Sequence, residues 1–577
     1  MNRLSVVLLA LLVIATLGVV QPTIFGTATS QQTVQPNRVL ERNANILMGR
    51  ATPRPKQMFV SSGVMTAYME GRAARSGAGR TGVGVRSSVS SSSVSLQTLG
   101  CANTFAGPVP NIRVNQDCTL RRQAEEAIAV NPLDPNNLIA SQNDSRVGFN
   151  HCGTDFSLNR GGTWGDELPP FYQFIMGNGL SPDACSDPTM EFDSRGNAYF
   201  GGILFQINFA ASAVVVTKSN AANKGSFWHS PAPGPFQEYS SNPLGVVASD
   251  NNPVIFHDKE LMAVDSNPTS PKRDNVYMTW TRFNDATGAG VRQNSPIRFS
   301  QSTNGGATWS PHIEISGANA AICTIFSGST NPNACDQDQG SHPFVAPNGD
   351  IHVVFGNGNT PGVGVNQVLH VSCPASANCA VASSWTAPTK VGDLIGTHPI
   401  CLPPGCTNNV PGCPLFRQCI PPNGYRAPEF TGMTGNVHPH DSRVIFVTWW
   451  DTRNLSPNCT GRFETASPPC DTDVFFAHSN DGGATWGAAF NISDQHPDGD
   501  NATSQWQSWS AFGPDGTLYV AYYDRRYGNC ETTGCHDITL AVSPDRGANF
   551  NFHRITTASM PNLTTANNPV QAGFLGD

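Results

Sequence analysis

The hydrophobic positions of this chain fall into runs of two kinds. One is long and lies near the start, where Leu4 to Val20 is almost wholly apolar. The others are short, such as Val474-Phe475-Phe476-Ala477-His478 and Ala488-Ala489-Phe490-Asn491-Ile492, and turn residues bound them. Short apolar runs punctuated by Gly, Asn, Asp and Ser predict strands joined by tight turns. The pattern predicts an all-β protein.

Composition supports this. Of 577 residues only 13% are charged, while Gly (55) and Pro (44) are plentiful, which suits many short strands and does not suit helical bundles. Single all-β domains often run long, so the length does not demand several domains. A net charge of −8 gives no basic footprint for phosphate backbones, and nucleic acid is excluded as a partner.

The long run reads as an address. Arg3 supplies a positive start, and small residues around Gly26–Ser30 offer a cleavage zone, so residues 1–30 are expected to be a signal peptide. The alternative is an uncleaved anchor, since the run sits at the lower edge of a spanning length. No other run could span a bilayer. A secreted, monomeric protein is expected, with no membrane contact after cleavage.

The 16 cysteines fall mostly in close pairs. Natural partners are Cys101 with Cys118, Cys323 with Cys335, Cys373 with Cys379, Cys459 with Cys470, and Cys530 with Cys535. Cys401, Cys406, Cys413 and Cys419 would form two more bridges, leaving Cys152 with Cys185. Zinc is the competing use, but no C-x-x-C pair or His cluster supports it. Residues 31–104 are expected to be poorly ordered, with a Ser/Gly/Arg-rich spacer between about 71 and 97. That spacer contains Gly77-Ala78-Gly79-Arg80-Thr81-Gly82, a formal dinucleotide fingerprint with neither the strand before it nor the helix after it that such a site needs.

Internal repetition is the strongest signal. Ser479 to Trp486 fits S-x-D-x-G-x-x-W at every position. Ser157 to Trp164 and Ser302 to Trp309 fit with Asn159 and Asn304 in the Asp place, and Ser543 to Phe550 ends on Phe. Ser219 to Trp228 reads as a fifth, lengthened copy. Asp or Asn accepts bonds from the backbone that follows it, Gly supplies positive φ, and Trp packs between strands. Each copy therefore marks the turn between the third and fourth strands of a four-stranded blade.

Turns of this kind at this spacing resemble the Asp boxes of the sialidase (neuraminidase) superfamily and of secreted bacterial sialidase-like proteins. Ala129-Val130-Asn131-Pro132-Leu133-Asp134-Pro135-Asn136-Asn137 and Asp258-Lys259-Glu260 resemble the second group. The resemblance covers about 105–577 and implies a six-bladed β-propeller whose Asp boxes lie opposite the active face. Blades are expected near 123–180, 183–240, 255–316, 338–392, 425–495 and 503–558. Acids often open the innermost strand, as at Glu125, Glu126, Asp187, Asp258 and Glu260.

A second repeat, Asp-x-Arg, ends the second strand of three blades: Asp144-Ser145-Arg146, Asp451-Thr452-Arg453 and Asp524-Arg525-Arg526. Strand alternation puts these at the end away from the Asp boxes. Planar guanidinium groups bind carboxylates bidentately. The resemblance implies an arginine triad on a sialic acid carboxylate, a Tyr nucleophile assisted by Glu, and an Asp acid/base. The candidates are Arg146, Arg453 and Arg526, Tyr425 with Glu429, and Asp187. The competing reading is that each Asp-x-Arg ties neighbouring blades together.

The chain departs from the family where its Phe/Tyr-Arg-Ile-Pro motif is expected early; Tyr425-Arg426-Ala427-Pro428 is only a partial likeness. No nucleophile elbow, zincin motif or phosphate loop is present. No cofactor is expected beyond a structural calcium ion in an acid-rich loop. Two functions remain open: an exo-sialidase-type glycoside hydrolase, or a non-catalytic propeller that binds glycan or glycoprotein on the same face. For closure, either Asn111–Asn115 completes the ring of six four-stranded blades beside residues 570–577, or the sequence is a fragment, with a seventh blade left incomplete as the alternative to six; a fragment is the expectation.

Overall fold

The computed structural model describes residues 35–53, 57–75, 112–116, 123–146, 151–169, 171, 174–228, 245–286, 293–325, 327–361, 365–396, 419–420, 425–426, 430, 432–453, 472–497 and 503–562. Six four-stranded antiparallel sheets make the blades of a β-propeller. Blade 1 is β1 (Gln123–Val130), β2 (Leu138–Asp144), β3 (His151–Ser157) and β4 (Gly165–Glu167). Blade 2 is β5 (Ala184–Phe192), β6 (Ala198–Phe205), β7 (Ser212–Ser219) and β8 (Gly245–Asp250). Blade 3 is β9 (Ile255–Val264), β10 (Val276–Asn284), β11 (Ile297–Ser302) and β12 (Ile313–Glu314). Blade 4 is β13 (Asp338–Val345), β14 (Ile351–Asn357), β15 (Val365–Cys373) and β16 (Thr389–Ile395). A short hairpin, β17 (Cys419–Ile420) and β18 (Tyr425–Arg426), precedes blade 5, which is β19 (Thr434–His438), β20 (Asp441–Asp451), β21 (Asp473–Ser479) and β22 (Phe490–Asn491). Blade 6 is β23 (Gln505–Phe512), β24 (Leu518–Asp524), β25 (Asp537–Ser543) and β26 (Asn551–Arg554).

Blades adhere through apolar side chains packed between their faces, and β6 is buried throughout. Ile139, Met190 and Phe200 share the layer between blades 1 and 2. Val214, Met262, Met278 and Trp280 fill the next, and Phe446, Trp450, Trp506 and Tyr522 fill the one between blades 5 and 6. On the far side of blade 6, Tyr519 stays 36% exposed and Ala521, Tyr523, Ile538, Leu540 and Val542 are half-buried.

The serine-led turns lie between the third and fourth strands of blades 1, 3, 5 and 6. In each, the serine Oγ accepts the amide four residues on, at 2.8 Å from Gly161, 2.9 Å from Gly306, 2.9 Å from Gly483 and 2.7 Å from Gly547. In blade 2, Ser219 Oγ accepts the Gly225 amide at 3.0 Å, which closes the lengthened copy. Blade 4 uses the Cys373–Cys379 disulfide instead, with Trp385 donating to the Cys379 carbonyl at 2.9 Å.

Disulfides also join Cys152 to Cys185, Cys323 to Cys335 and Cys530 to Cys535, as expected. The first links blades 1 and 2. The side chains of the other eight cysteines, and residues 570–577 of the expected closing strand, lie outside the described residues. Among the described residues no helix is long and apolar enough to cross a membrane.

Two helices correct one expectation. Within the stretch set aside as poorly ordered, α1 (Arg38–Leu47) and α2 (Ser62–Arg75) pack on the propeller. Val39, Leu40, Ala44, Val64, Met65, Ala67 and Tyr68 are buried in one cluster with Phe205, Phe256, Phe283, Phe344 and Trp449 of the blades. Helices of 10 and 14 residues are marginal alone, so their stability comes from this docking.

Every innermost strand is approached through a left-handed residue two positions before its regular ladder resumes. These residues are Glu125 (φ 61°), Asp187 (55°), Lys259 (52°), Gly340 (67°), Gly432 (66°) and Gln507 (46°). In blades 1, 2, 3, 4 and 6 the position is a β-bulge that shifts the register. At Gly340 an added Cβ would lie 2.3 Å from the Phe430 carbonyl oxygen, so only glycine fits. Gly340→Ala is expected to cost about 1–3 kcal/mol, read as a lowered urea midpoint. Gly482→Ala, with nothing within 4 Å, should cost only its backbone strain. Equal midpoints for the two variants would refute the close approach.

Candidate active site

Because the strands alternate, the turn between the second and third strands lies opposite the serine-led turns. Asp144 pairs with Gln123 and Asp524 with Gln505, so the Asp-x-Arg ends sit beside the start of the innermost strands. This end of the channel carries both the arginines and the bulged acids.

Each arginine is clasped by the aspartate two residues before it. Arg146 Nε donates to Asp144 at 2.5 Å, and its Nη2 reaches Asp166 on β4 at 3.0 Å. Arg453 donates to Asp451 from Nε at 3.0 Å and Nη2 at 2.6 Å, and a further bond of 2.6 Å reaches the Asp393 carbonyl of blade 4. Its guanidinium carbon stands 4.2 Å from the Phe475 ring centre. Arg526, only 2% exposed, donates to Asp524 at 2.6 Å and to the Ser493 carbonyl at 3.0 Å. Arg453 and Arg526 therefore tie blade 4 to 5 and blade 5 to 6, while Arg146 ties two strands of its own blade. The three stand in blades 1, 5 and 6. Tyr425 lies in β18, where only its backbone is described, and Glu429 lies outside the described residues.

The acids of blades 1 to 3 do converge. Ser61 caps α2: its Oγ accepts the Val64 amide at 3.3 Å and its carbonyl accepts the Met65 amide at 3.1 Å. Its own amide donates to Asp258 at 2.7 Å and its hydroxyl to Asp187 at 2.8 Å. The Gly63 amide donates to Glu125 at 3.2 Å. Three carboxylates from three successive innermost strands thus meet one helix N-terminus, where the backbone amides and the helix dipole favour negative charge. Asn143 holds the first two in place. Its side-chain amide donates to Glu125 and, at 3.2 Å, to Ser186 Oγ, while its oxygen accepts the Asp187 amide at 3.0 Å.

Glu260, the residue after the bulged Lys259, is 1% exposed, and no other described residue donates a hydrogen bond to either carboxyl oxygen. Burial, and then the charge of Asp187, holds its carboxyl well above the usual range. Lys259 Nζ lies 3.8 Å from Asp187 Oδ1. A buried acid whose carboxyl is pushed toward its protonated form beside a second carboxylate is the arrangement that divides acid from base roles in catalysis. Among the described residues no group of three or more His, Cys, Asp or Glu side chains is arranged to hold a metal ion.

Sequence inspection marked Asp187, Asp258, Glu125 and Glu260 as strand openers. It missed Ser61, Gly63 and Asn143, whose roles depend on contacts 18 to 197 residues away. The one local signal was a small-residue pair, Ser61-Ser62, opening an apolar helix.

No protein-family model and no curated protein matches this chain. Among solved structures it is similar to an α-L-arabinofuranosidase of Fusarium graminearum, at 10% identity and a TM-score of 0.39, covering 76% of this chain and 98% of that one. A Hadza microbial sialidase is similar at 10% identity and a TM-score of 0.36, covering 73% and 67%. A xyloglucanase from Xanthomonas campestris is similar at 13% identity and a TM-score of 0.34; the match covers 74% of this chain and 46% of the enzyme.

Two outcomes follow from this geometry. Glu260 has a raised folded-state pKa, so its contribution to stability is complete below its ordinary value of 4.5 and is lost as pH rises through the raised one. Glu260→Gln should therefore gain in melting temperature over wild type as pH rises above 4.5; parallel curves would contradict the burial argument. Arg453→Lys keeps the charge but loses the fork, and should cost about 1–2 kcal/mol in thermal unfolding. An unchanged melting temperature would remove its role as a tie.

Proposed function

We propose that the protein is a secreted, glycan-acting β-propeller and that its chemistry is that of a glycoside hydrolase. Asp187 and Glu260 are the working carboxyls. The observation that carries this reading is the contrast between their surroundings. Glu260 has no donor from another described residue and lies under the charge of Asp187, whereas Asp187 accepts the Ser61 hydroxyl and faces the Lys259 ammonium. Glycosidic cleavage needs one carboxyl that gives a proton to the leaving oxygen and a second that acts as base or nucleophile. Glu260 has the property of the first and Asp187 that of the second.

The exo-sialidase form of this reading assigns Arg146, Arg453 and Arg526 to a substrate carboxylate, with Tyr425 and Glu429 as nucleophile and assistant. A substrate carboxylate would have to displace Asp144, Asp451 and Asp524 from those arginines. It would also approach an end of the channel lined by Glu125, Asp187, Asp258 and Glu260. Both considerations favour a neutral glycan, whose hydroxyls donate to carboxylates, over a sialic acid.

The test is a hydrolysis screen on neutral and sialylated oligosaccharides, with products identified by mass spectrometry. Asp187→Asn and Glu260→Gln should each lower cleavage of the neutral substrate by about 100-fold or more, while Arg453→Lys changes it by less than about threefold. Cleavage confined to sialylated substrates and lost in Arg453→Lys would return the function to the sialidase form. Binding without cleavage would make the propeller a glycan-binding module.

A further inference from the structure

The segment that meets the acids is not part of any blade. Asn37 donates to the carbonyls of Ala210, in the turn after β6, at 3.2 Å, and of Ile255, the first residue of β9, at 2.6 Å. Gln339 of β13 donates to the Phe59 carbonyl at 2.6 Å. These are features of the channel end that carries the acids, opposite the serine-led turns. We propose that α1, α2 and residues 57–61 form a displaceable intramolecular plug, which occupies the substrate end of the channel and shuts Asp187 and Glu260 off from glycan.

Three observations carry this. First, the plug fills the acid positions with donors only: two backbone amides and one hydroxyl go to Asp258, Glu125 and Asp187. A polyhydroxylated sugar offers the same donors, so plug and substrate compete for the same acceptors. Second, the fit is close towards both ends of α2, where a side chain would force buried neighbours to shift. A Cβ on Gly63 would lie 2.3 Å from the Asn143 amide nitrogen, 2.4 Å from Ser186 Oγ and 2.7 Å from Glu125 Oε2. A Cβ on Gly71 would lie 2.0 Å from Ile207 Cδ1. Third, Glu260 is buried with no donor from another described residue to either oxygen, an arrangement that opening this end of the channel to water relieves.

The inference rests on the proposed working pair only for what the plug excludes, and the experiment keeps the two apart. In the full chain, Gly63→Leu forces the helix N-terminus out of its seat without substituting any acid. Carboxyl labelling by a water-soluble carbodiimide and an amine, read by peptide mass spectrometry, should rise roughly tenfold at Asp187, Asp258 and Glu260 in this variant. Amide exchange in the blades should stay slow. Gly71→Leu provides a second route to the same opening should Gly63→Leu misfold. Unchanged labelling in both variants would overturn the plug, as would loss of blade protection together with α2, because the segment would then be inseparable core. Acids that become labelled with no glycan cleaved would sustain the plug and remove the hydrolase. Equal cleavage by wild type and Gly63→Leu would remove the plug and sustain the hydrolase.

Discussion

Three carboxylates held at one helix N-terminus organise this molecule. Glu125, Asp187 and Asp258 come from three adjacent blades, and like charges gathered at one end of a channel repel. The amides of Ser61 and Gly63, aligned with the dipole of α2, supply the compensating partial charge. The apolar docking of α1 and α2 depends on that contact, because it sets how far the helix enters. Withdraw Ser61 and Gly63 and each of the three acids loses a donor.

The acids reach this point because the backbone is bent there. A left-handed residue recurs at the same place in all six blades, which marks it as a property of the repeat. In blades 4 and 5 the position is glycine, and the neighbouring chain passes too close for anything larger. In blades 1, 2, 3 and 6 it is Glu, Asp, Lys and Gln, each carrying a backbone cost of order 1 kcal/mol or more. Where the neighbouring chain passes closest, glycine serves; in blades 1 and 2, where the bulge aims an acid, the strain is accepted and the surroundings hold it, as Asn143 holds Glu125 and Asp187.

The propeller was legible in the sequence because its cues are local. A serine-led turn is closed by bonds four residues long, and Asp-x-Arg by bonds two residues long, so both can be read from a short window. The candidate site was legible only in part. Asp187 was recognisable as an acid opening a strand, but its partners Ser61 and Lys259 are 126 residues behind it and 72 ahead (259 − 187). The helices escaped notice because neither stands without the blades. The arginines show the opposite limit. Their repetition invited a shared role on a ligand, yet Arg453 and Arg526 each bridge to the preceding blade and Arg146 to the last strand of its own.

Chain order adds a consequence of its own. Ser61 precedes Asp258 by 197 residues. At roughly 5–20 residues per second, a ribosome makes the cap of α2 some 10–40 s before it makes the last acid that cap will meet. Helices of this length do not persist in water over such an interval without a surface to rest on. The earliest-made described segment of the fold is therefore obliged to wait for the third blade, and its seat is built before its occupant takes shape.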